Sequence, residues 1–372
     1  MNLEALSRKI WAQPTGAAEV LLWPLSIASG LFRGVVAARA ALYRGGLLRR
    51  VSLPVPVISV GNLRVGGTGK TPTVMHLARA ISGMHREVGV VLRGYGGKHE
   101  GNNRPLLVSD GKNMLAGPDD AGDEAVLLAG SLPGVPVVVC SNRAAAGSLL
   151  CEHGVRVLLL DDGFQHLRLV RDVDVVLLDG NAPFGNGRML PRGPLREPPD
   201  ALRRADLILV RGDAEQCVRV KDRIAPLTSA SVLGVEVSVA GLSDQNGRDT
   251  VLPDGINAYA VCGIARPDRF HDTLSGLPLR VVGFYPLGDH HRYSREDVRR
   301  VQEKAVAAGA EVVLTTEKDR VKLANLWEGS LPLVAVRIDL GVPDTDGHGG
   351  DLWVDRLLSL ADQRCAKRKS NT

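Results

Sequence analysis

A glycine-rich loop between an apolar strand and a helix constrains the fold of this 372-residue chain more than any other feature. Residues 53–60 form an apolar run, a loop with Gly66, Gly67 and Gly69 follows, and Lys70 and Thr71 open a predicted helix that continues to Ile81. This order of elements is the context of the Walker A phosphate loop, G-x-x-x-x-G-K-[ST]. The backbone N–H groups of such a loop cradle phosphates, its lysine binds them, and its hydroxyl reaches Mg²⁺. The segment therefore predicts a nucleotide site.

One position of this loop departs from the pattern, because Arg64 stands where the motif has its first glycine. Gly61 and Gly66 lie on either side of Arg64 and could ease the turn in its place. A glycine-rich turn without a ligand is the alternative interpretation. The Lys-Thr pair between a buried strand and a helix favours the nucleotide site.

Several further apolar runs predict the sheet around this loop. Helical stretches at 119–129 and 143–153 separate some of them, and continuous apolar strands with intervening helices are typical of a parallel sheet covered on both faces. The runs lie at 87–92, 135–140, 155–160, 173–178 and 205–210. We therefore expect an α/β fold, a P-loop NTPase-like parallel sheet flanked by helices.

The length of the chain indicates more than one domain, since single cores stop growing at about 250–300 residues. The sequence pattern changes after residue 225, and a new series of predicted strands and helices follows. Within it, residues 294–297 have the pattern of a helix capping box. The predicted segments are an N-terminal membrane-associating helical segment (1–50), a P-loop core domain (51–235) and a smaller C-terminal α/β domain (236–372). We expect the basic tail at 364–372 to fray.

The N-terminal segment carries the excess charge of the chain. Residues 1–50 contain seven Lys or Arg and two Asp or Glu, which accounts for the whole net charge of +5. Aromatic side chains, on which single-stranded nucleic acids stack, are only 4% of the chain, so we expect no nucleic-acid partner. An anionic surface fits this localised charge better, and no obligate protein partner is evident. The five cysteines form no C-x-x-C pair, which favours a reducing, cytoplasmic setting.

The same segment predicts an amphipathic helix at a membrane surface. Its uncharged run at 20–32 is shorter than the roughly 20 residues that cross a bilayer, so we expect no spanning segment. As a helix it would have one apolar face, interrupted by Arg39. The members of that face are Leu21, Leu25, Ala28, Phe32, Val35 and Leu42. A helix packed on the body of the protein is the alternative.

Two adjacent acids end one of the apolar runs. Asp161 and Asp162 follow 155–160, a position at which P-loop proteins place a carboxylate near Mg²⁺. A turn capped by Asp-Gly is the alternative for this pair. Asp179, before Gly180 at another strand end, is a weaker candidate.

Two other groups of polar residues could carry acid–base chemistry. Asp123 and Glu124 stand at the start of a predicted helix, whose dipole favours an ionised carboxylate. The run Asp289-His290-His291, in the second domain, places an acid beside two imidazoles. Asp123 and a histidine can form an acid–base couple only if the two domains close on each other.

Taken together, the motifs resemble the tetraacyldisaccharide 4'-kinase family, the lipid A 4'-kinases, over nearly the whole chain. The matching blocks are W-P-L-S at 23–26, L-Y-R-G-G-L at 42–47, the loop at 60–72, L-R-G-Y-G at 92–96, G-D-E-A at 122–125, D-D-G-F-Q-H at 161–166, L-P-R-G-P-L-R-E-P at 190–198, D-H-H at 289–291 and T-T-E-K-D at 315–319. Their number and order make this resemblance far more specific than the loop alone.

The resemblance implies transfer of the ATP γ-phosphoryl group to the 4'-hydroxyl of a tetraacylated glucosamine disaccharide 1-phosphate, a step of lipid A synthesis. It implies ATP and Mg²⁺ as cofactors and a monotopic attachment to the cytoplasmic face of the inner membrane. An acylated sugar stays in the bilayer, so an enzyme that modifies it must come to the surface, as a basic helix with an apolar face does.

The resemblance also implies roles for individual residues. Asp123 would accept the proton of the sugar hydroxyl with help from His290 or His291, of which His290 is preferred. The implied ATP-binding residues are Gly66, Gly67, Thr68, Gly69, Lys70, Thr71, Glu317, Lys318 and Asp319. The implied metal ligands are Thr71, Asp161 and Asp162, and the implied contacts to the lipid head group are Arg93, Tyr95 and Arg143.

Two other functions remain as alternatives. A regulatory or partition-type P-loop ATPase often carries a lysine directly before the glycine pair, and this chain has Val65 there. A soluble small-molecule P-loop kinase would use residues 20–44 as ordinary core.

Overall fold

The computed structural model describes Trp11 and residues 22–289, 291–342 and 352–370. The strands are β1 (Val57–Asn62), β2 (Val88–Leu92), β3 (Leu106–Ser109), β4 (Val137–Val139), β5 (Val157–Asp161), β6 (Val173–Asp179), β7 (Leu207–Arg211), β8 (Ser231–Asp244), β9 (Asp249–Thr250), β10 (Asn257–Cys262), β11 (Arg280–Pro286), β12 (Val312–Thr316) and β13 (Leu333–Gly341). The helices are α1 (Trp23–Arg44), α2 (Lys70–Gly83), α3 (Pro118–Ala121), α4 (Asp123–Ser131), α5 (Arg143–Glu152), α6 (Ala214–Ile224), α7 (Pro267–Ser275), α8 (Arg295–Ala307), α9 (Glu317–Leu323) and α10 (Leu352–Ser370), with a 3₁₀ turn at Pro199–Arg204.

The N-terminal half of the sheet confirms the predicted parallel α/β architecture. Its strands lie in the order β8-β7-β6-β1-β5-β2-β4-β3, and all neighbours are parallel except the short edge strand β3. β1 is buried along its whole length between β5 and β6. The carboxyl ends of these three strands therefore meet at the loop that follows β1, at the edge of the sheet where α/β proteins bind ligands.

Strand β8 joins the two halves of the protein. Its first part pairs in parallel with β7, and its second part pairs antiparallel with β13, so the described strands form one continuous sheet. The second half adds β11-β10-β12-β13, with the helices α7, α8 and α9 packed on it. The expected boundary at residue 236 falls within β8 and stays a prediction, since one strand belongs to both halves. The capping box at the start of α8 is confirmed, with Ser294 and Asp297 bonded reciprocally.

The basic C-terminal segment is helical through Ser370, contrary to the expectation that it frays, and residues 371–372 lie outside the described residues. The helix α10 buries Val354, Leu357 and Leu358 in the core that β1, β6 and α2 share. Arg368 then reaches the buried Asp172 carboxylate with a separation of 3.2 Å between Nη2 and Oδ2. The expectation failed because the basic residues were treated as a solvated tail, whereas a buried carboxylate far away in sequence pairs with one of them.

The helix α1 lies on the surface of the protein and presents two different faces. Phe32 and Val36 pack against the core cluster around Phe164, and the buried Ser29 hydroxyl donates a hydrogen bond of 2.7 Å to the Met189 carbonyl. The opposite side exposes apolar side chains at a spacing of four residues. They are Trp23 (60% exposed), Ile27 (53%), Leu31 (69%) and Val35 (67%).

This arrangement differs from the predictions for the segment in two respects, the position of the apolar face and the length of the apolar helix. Phe32 belongs to the inner side and Val35 to the outer side, so the expected stripe is divided between protein and solvent. By length and composition, the 22-residue helix is also sufficient to cross a membrane, which the shorter uncharged run did not indicate. Its contacts with the body of the protein favour a position along a surface instead.

Removal of the Arg368 side chain should destabilise the protein. In Arg368→Ala the Asp172 carboxylate stays buried without its guanidinium, and breaking a buried pair in this way costs about 3–5 kcal/mol. Urea denaturation followed by circular dichroism measures the change in the free energy of unfolding. Lys367→Ala, at an exposed position of the same helix, is the matched control. Equal midpoints for the two variants would show that the contact contributes nothing.

Candidate active site

A cleft of ≈ 540 Å³ opens at the carboxyl end of β1, between the two halves of the protein. One wall is the glycine-rich loop with the start of α2 and the carboxyl end of β5. The opposite wall comes from the second half, through the segment before α7, the start of α9 and strand β13. Lining residues from the second half include Ala265, Arg266, Arg269, Thr316, Glu317 and Lys318. A ligand in this cleft would contact both halves at once.

The loop after β1 has the conformation that phosphate binding requires. Gly66 and Gly69 have φ of 108° and 97°, values that side-chain-bearing residues rarely adopt, and α2 begins directly after Gly69. The Thr68 hydroxyl accepts a hydrogen bond of 2.6 Å from the Asn62 amide, so this side chain braces the loop from inside. The N-terminus of α2 therefore faces the cleft with its backbone N–H groups available to an anion.

The atypical Arg64 is tied into the segment that contains the L-P-R-G-P-L-R-E-P block. Its guanidinium donates to the Ala182 carbonyl, and the next residue, Val65, bonds to the Pro194 carbonyl at 2.9 Å. Burial lowers the pKa of Arg64, although Asp179 opposes the shift. The missing glycine is thus compensated by a second chain segment that holds the entrance of the loop.

Asp162 is the anchor of a cation network beside the loop. Both of its oxygens accept hydrogen bonds of 2.7 Å from Arg196, and its Oδ1 lies 3.7 Å from the Lys70 ammonium. Burial alone would raise the pKa of Asp162, but Lys70 and Arg196 outweigh burial and hold this pKa well below its usual range. Arg196 had no predicted role, because its carboxylate partner lies 34 residues away in the sequence.

Asp161 has the properties of a metal ligand. Its Oδ2 accepts a hydrogen bond of 3.2 Å from the Thr71 hydroxyl, and its buried Oδ1 has no hydrogen-bond partner among the described residues. Burial raises the pKa of Asp161, and the negative charge of Glu124 adds to the shift, while Lys70 opposes it. A divalent cation would favour the ionised form and satisfy the unbonded oxygen. Thr71 and Asp161 therefore fit Mg²⁺, which typically takes one or two protein ligands beside phosphate oxygens and waters.

The two halves meet through ion pairs between α4 and α9. The Lys318 ammonium lies 3.1 Å from Glu124 Oε1 and 3.7 Å from Asp289 Oδ1. The Lys322 ammonium lies 3.3 Å from Asp123 Oδ2. Asp123 is buried at the N-terminus of α4, and its Oδ1 accepts a hydrogen bond of 3.0 Å from the Glu124 amide. Asp123 therefore contacts the second half of the protein, which is the condition for an acid–base couple between the halves.

The His291 ring pairs with Asp297 and Tyr293, and the structure shows no contact between this ring and Asp123. His291 Nε2 lies 3.2 Å from Asp297 at the start of α8, and the ring packs edge-on against Tyr293. The contact with the Asp123 region comes through the His291 carbonyl, which accepts a hydrogen bond of 3.2 Å from Lys322. The preferred partner of Asp123, His290, lies outside the described residues. Asp289 itself lines the cleft.

The expected head-group residues lie together next to the loop. The Arg93 guanidinium donates a hydrogen bond of 2.8 Å to the Tyr95 hydroxyl, and both residues line the cleft. Arg143 is buried behind them, where its Nη1 donates 2.8 Å to the Cys140 carbonyl. Burial lowers the pKa of Arg143, and the nearby Asp162 opposes that shift.

The T-T-E-K-D block contributes three wall residues, Thr316, Glu317 and Lys318, and one internal brace, Asp319. Glu317 lines the cleft, and burial raises its pKa. Asp319 is fully buried, and its Oδ2 accepts hydrogen bonds from the Gly263 amide at 2.9 Å and the Thr316 hydroxyl at 2.8 Å. Its predicted contact with ATP would therefore be indirect, through the positions of Thr316 and Gly263.

A second ion-pair group, which the sequence did not reveal, closes the other side of the loop. Asp179, at the end of β6, lies 2.5 Å from Arg269 and 3.6 Å from Arg266, both of which come from α7 and its N-cap. Burial, followed by the charge of Arg269, lowers the pKa of Arg211 at the end of β7 to about 10. Asp179 was recognised as a strand-end acid, but nothing local to it indicated cations from the second half.

Comparisons with known proteins relate the chain to one family. The family model described as tetraacyldisaccharide-1-P 4'-kinase matches residues 18–352. The chain is 41% identical to the tetraacyldisaccharide 4'-kinase of Syntrophus aciditrophicus, over 92% of this chain and 96% of the relative. It is 42% identical to that of an Anaeromyxobacter species, over 93% and 95%. A crystal structure of LpxK from Aquifex aeolicus in complex with ATP superposes with a TM-score of 0.70 at 29% identity, covering 93% of this chain and 98% of that one.

Proposed function

The chain belongs to the tetraacyldisaccharide-1-P 4'-kinase family, and from this premise we propose that it transfers the γ-phosphoryl group of ATP to the 4'-hydroxyl of a tetraacylated glucosamine disaccharide 1-phosphate. The product would be lipid IVA, an intermediate of lipid A synthesis. The observation that carries the proposal is a single cleft. It holds the phosphate-loop Lys70 and the acids after β5 on one wall and is closed by α9, which pairs with Asp123 and Glu124.

The nucleotide side of the reaction uses the loop after β1. In the proposal, the N–H groups at the start of α2 and the Lys70 ammonium bind the β- and γ-phosphates. Asp162 and Arg196 fix the position of Lys70 through their ion pairs. Phosphoryl transfer asks the protein mainly for positioning and charge neutralisation, and this network supplies both.

Mg²⁺ would be held by Thr71 and Asp161, on the evidence of the buried carboxylate oxygen that no described residue satisfies. When bound, Mg²⁺ neutralises charge on the phosphate oxygens. Asp162 is already engaged by Arg196 and Lys70, so of the two adjacent acids we assign the metal to Asp161.

The acceptor side uses Asp123. Buried at a helix N-terminus and next to the Lys322 ammonium, this carboxylate is favoured in its ionised form. We infer that Asp123 receives the proton of the 4'-hydroxyl as the phosphoryl group is transferred. Arg93, Tyr95 and Arg143 would contact the phosphorylated sugar head group, since Arg93 and Tyr95 line the same cleft.

The helix α1 would bring the enzyme to its lipid substrate. Its exposed apolar row of Trp23, Ile27, Leu31 and Val35 can enter the headgroup region, while the inner side of the helix stays on the protein. Its arginines suit an anionic leaflet. We therefore place the enzyme at the cytoplasmic face of the inner membrane as a monotopic protein.

Asp123→Asn should separate catalysis from nucleotide binding. The amide cannot accept a proton, so kcat should fall by about 10²- to 10⁴-fold while the ATP dissociation constant stays within about twofold. Lys70→Met is the contrasting variant, because it should weaken ATP binding itself. Isothermal titration with ATP, together with radiometric kinase assays, gives both quantities. Loss of ATP affinity in Asp123→Asn would move this residue to the nucleotide site and refute its assignment to the acceptor.

Asp161→Asn tests the metal assignment. Wild-type protein should bind ATP about tenfold or more tightly with Mg²⁺ than in EDTA, because the cation joins carboxylate and phosphates. The variant should bind metal-free ATP normally and gain little from Mg²⁺. Equilibrium binding of a fluorescent ATP analogue in the two buffers measures the gain. An equal Mg²⁺ gain in variant and wild type would exclude Asp161 as a ligand.

The double variant Leu31→Glu/Val35→Glu tests the membrane face. Burial of a Leu or Val side chain is worth about 1.5–3 kcal/mol, so losing both should weaken binding to anionic vesicles at least tenfold. Both positions are exposed, so the fold should be unaffected. Val251→Glu, at a residue that is 90% exposed in the second half, is the matched control. Unchanged co-sedimentation of the double variant would contradict the attachment through α1.

A further inference from the structure

The Lys322 ammonium lies in a nearly buried site between the two halves of the protein. It is 3.2 Å from Asp319 Oδ1 on its own helix, α9, and 3.3 Å from Asp123 Oδ2 on α4. It also donates a hydrogen bond of 3.2 Å to the His291 carbonyl and lies 5.4 Å from the centre of the Tyr293 ring. Its partners thus include two carboxylates from opposite sides of the domain interface.

Without this ammonium, two buried carboxylates would share a site. Asp319 is fully buried and Asp123 is 7% exposed, so neither charge can be stabilised well by water. Like charges in such a position disfavour each other's ionised form, and one of the pair then keeps a proton. Asp319 also accepts hydrogen bonds from the Gly263 amide and the Thr316 hydroxyl on its other oxygen. We therefore expect loss of the ammonium to act mainly on Asp123.

We propose that Lys322 is a positioning residue for the reaction. Its ammonium comes from the second domain and holds the Asp123 carboxylate in place and ionised. Asp123 can then accept a proton only when α9 is docked on α4. The inference rests on the proposed role of Asp123 as the acceptor. Lys322 ends the D-R-V-K run that follows T-T-E-K, and its proposed task differs from ATP binding. Closure of the domains would then prepare the acceptor as well as enclose the nucleotide.

The neighbouring charges are consistent with this division of work. Lys318, one turn before Lys322, pairs with Glu124 and Asp289 and adds positive charge near Asp123, whereas Lys322 makes the 3.3 Å ion pair with Asp123. The His291 imidazole is engaged by Asp297 and does not compete for the Asp123 oxygen. The titratable and charged groups at this site in the described residues include Glu124 on α4, Asp289, His291 and Tyr293 before α8, and Lys318, Asp319 and Lys322 on α9.

Rates measured against pH test the inference, with tetraacyldisaccharide 1-phosphate in mixed micelles as the acceptor. In Lys322→Met, kcat at pH 7 should fall about 10- to 100-fold with the KM for ATP within about twofold. The acidic limb of the profile should move to higher pH, so that much of the activity returns in alkaline buffer. Lys322→Arg keeps the charge and should recover most of kcat. Lys304→Met, at an exposed position of α8, is the control and should match wild type.

Asp319→Asn gives the opposite displacement. Asp319→Asn removes the negative charge that shares the Lys322 ammonium with Asp123. Asp123 should then stay ionised at lower pH, so the acidic limb of the rate profile should move to lower pH. A general loosening of the interface could not shift the two variants in opposite directions. If Lys322→Met does not fold, as judged by circular dichroism, Asp319→Asn decides the question by itself: a limb at lower pH supports the inference, and an unmoved limb overturns it.

Asp123→Asn, assayed in parallel, distinguishes failure of the inference from failure of the proposed function. Wild-type rates in Asp123→Asn would remove the acceptor role and the inference with it. An inactive Asp123→Asn combined with unmoved acidic limbs in Lys322→Met and Asp319→Asn would overturn the inference alone. It would leave Asp123 as the proton acceptor.

Discussion

The contact between α4 and α9 is the interaction on which the active cleft depends. Two lysines of α9 form ion pairs with two adjacent acids of α4, and each of the four side chains is mostly buried. A second contact, from α7 to Asp179, closes the far side of the phosphate loop. Because the sheet is continuous through β8, these contacts fix how its second half is placed over the first. The cleft exists only in that arrangement.

Burial and pairing then determine what each aspartate of the proposed site can do. Asp161 and Asp162 are consecutive, yet Arg196 and Lys70 hold the pKa of Asp162 low while burial raises that of Asp161. In the proposed reaction, the first carboxylate would bind the cation and the second would position the loop lysine. Asp123 is in a third environment, at a helix N-terminus with an ammonium from the other domain. Three aspartates thus receive three tasks from their surroundings, as environment-dependent pKa values allow.

The sequence predicted those parts of the site that are local. Lys70, Thr71 and the acids after β5 belong to short motifs whose geometry follows from the order strand, loop, helix, and the structure places them together. Arg196 was missed because its partner is 34 residues away, and no local pattern marks a side chain that reaches back to another loop. Lys318, which the resemblance assigns to ATP, lines the cleft and also pairs with Glu124 and Asp289, which no local pattern indicated. The inner and outer sides of α1 could not be separated from periodicity, since both are apolar.

The proposed function is that of a kinase, so the decisive measurement is which molecule receives the γ-phosphate of ATP. The purified full-length protein is incubated with [γ-³²P]ATP, Mg²⁺ and tetraacyldisaccharide 1-phosphate in mixed micelles, and the products are separated and their phosphate positions determined. We expect label on the lipid as a second phosphate at the 4' position, formed only when the acceptor is present. Release of the label as inorganic phosphate at the same rate with and without the acceptor would identify a P-loop ATPase and contradict the account.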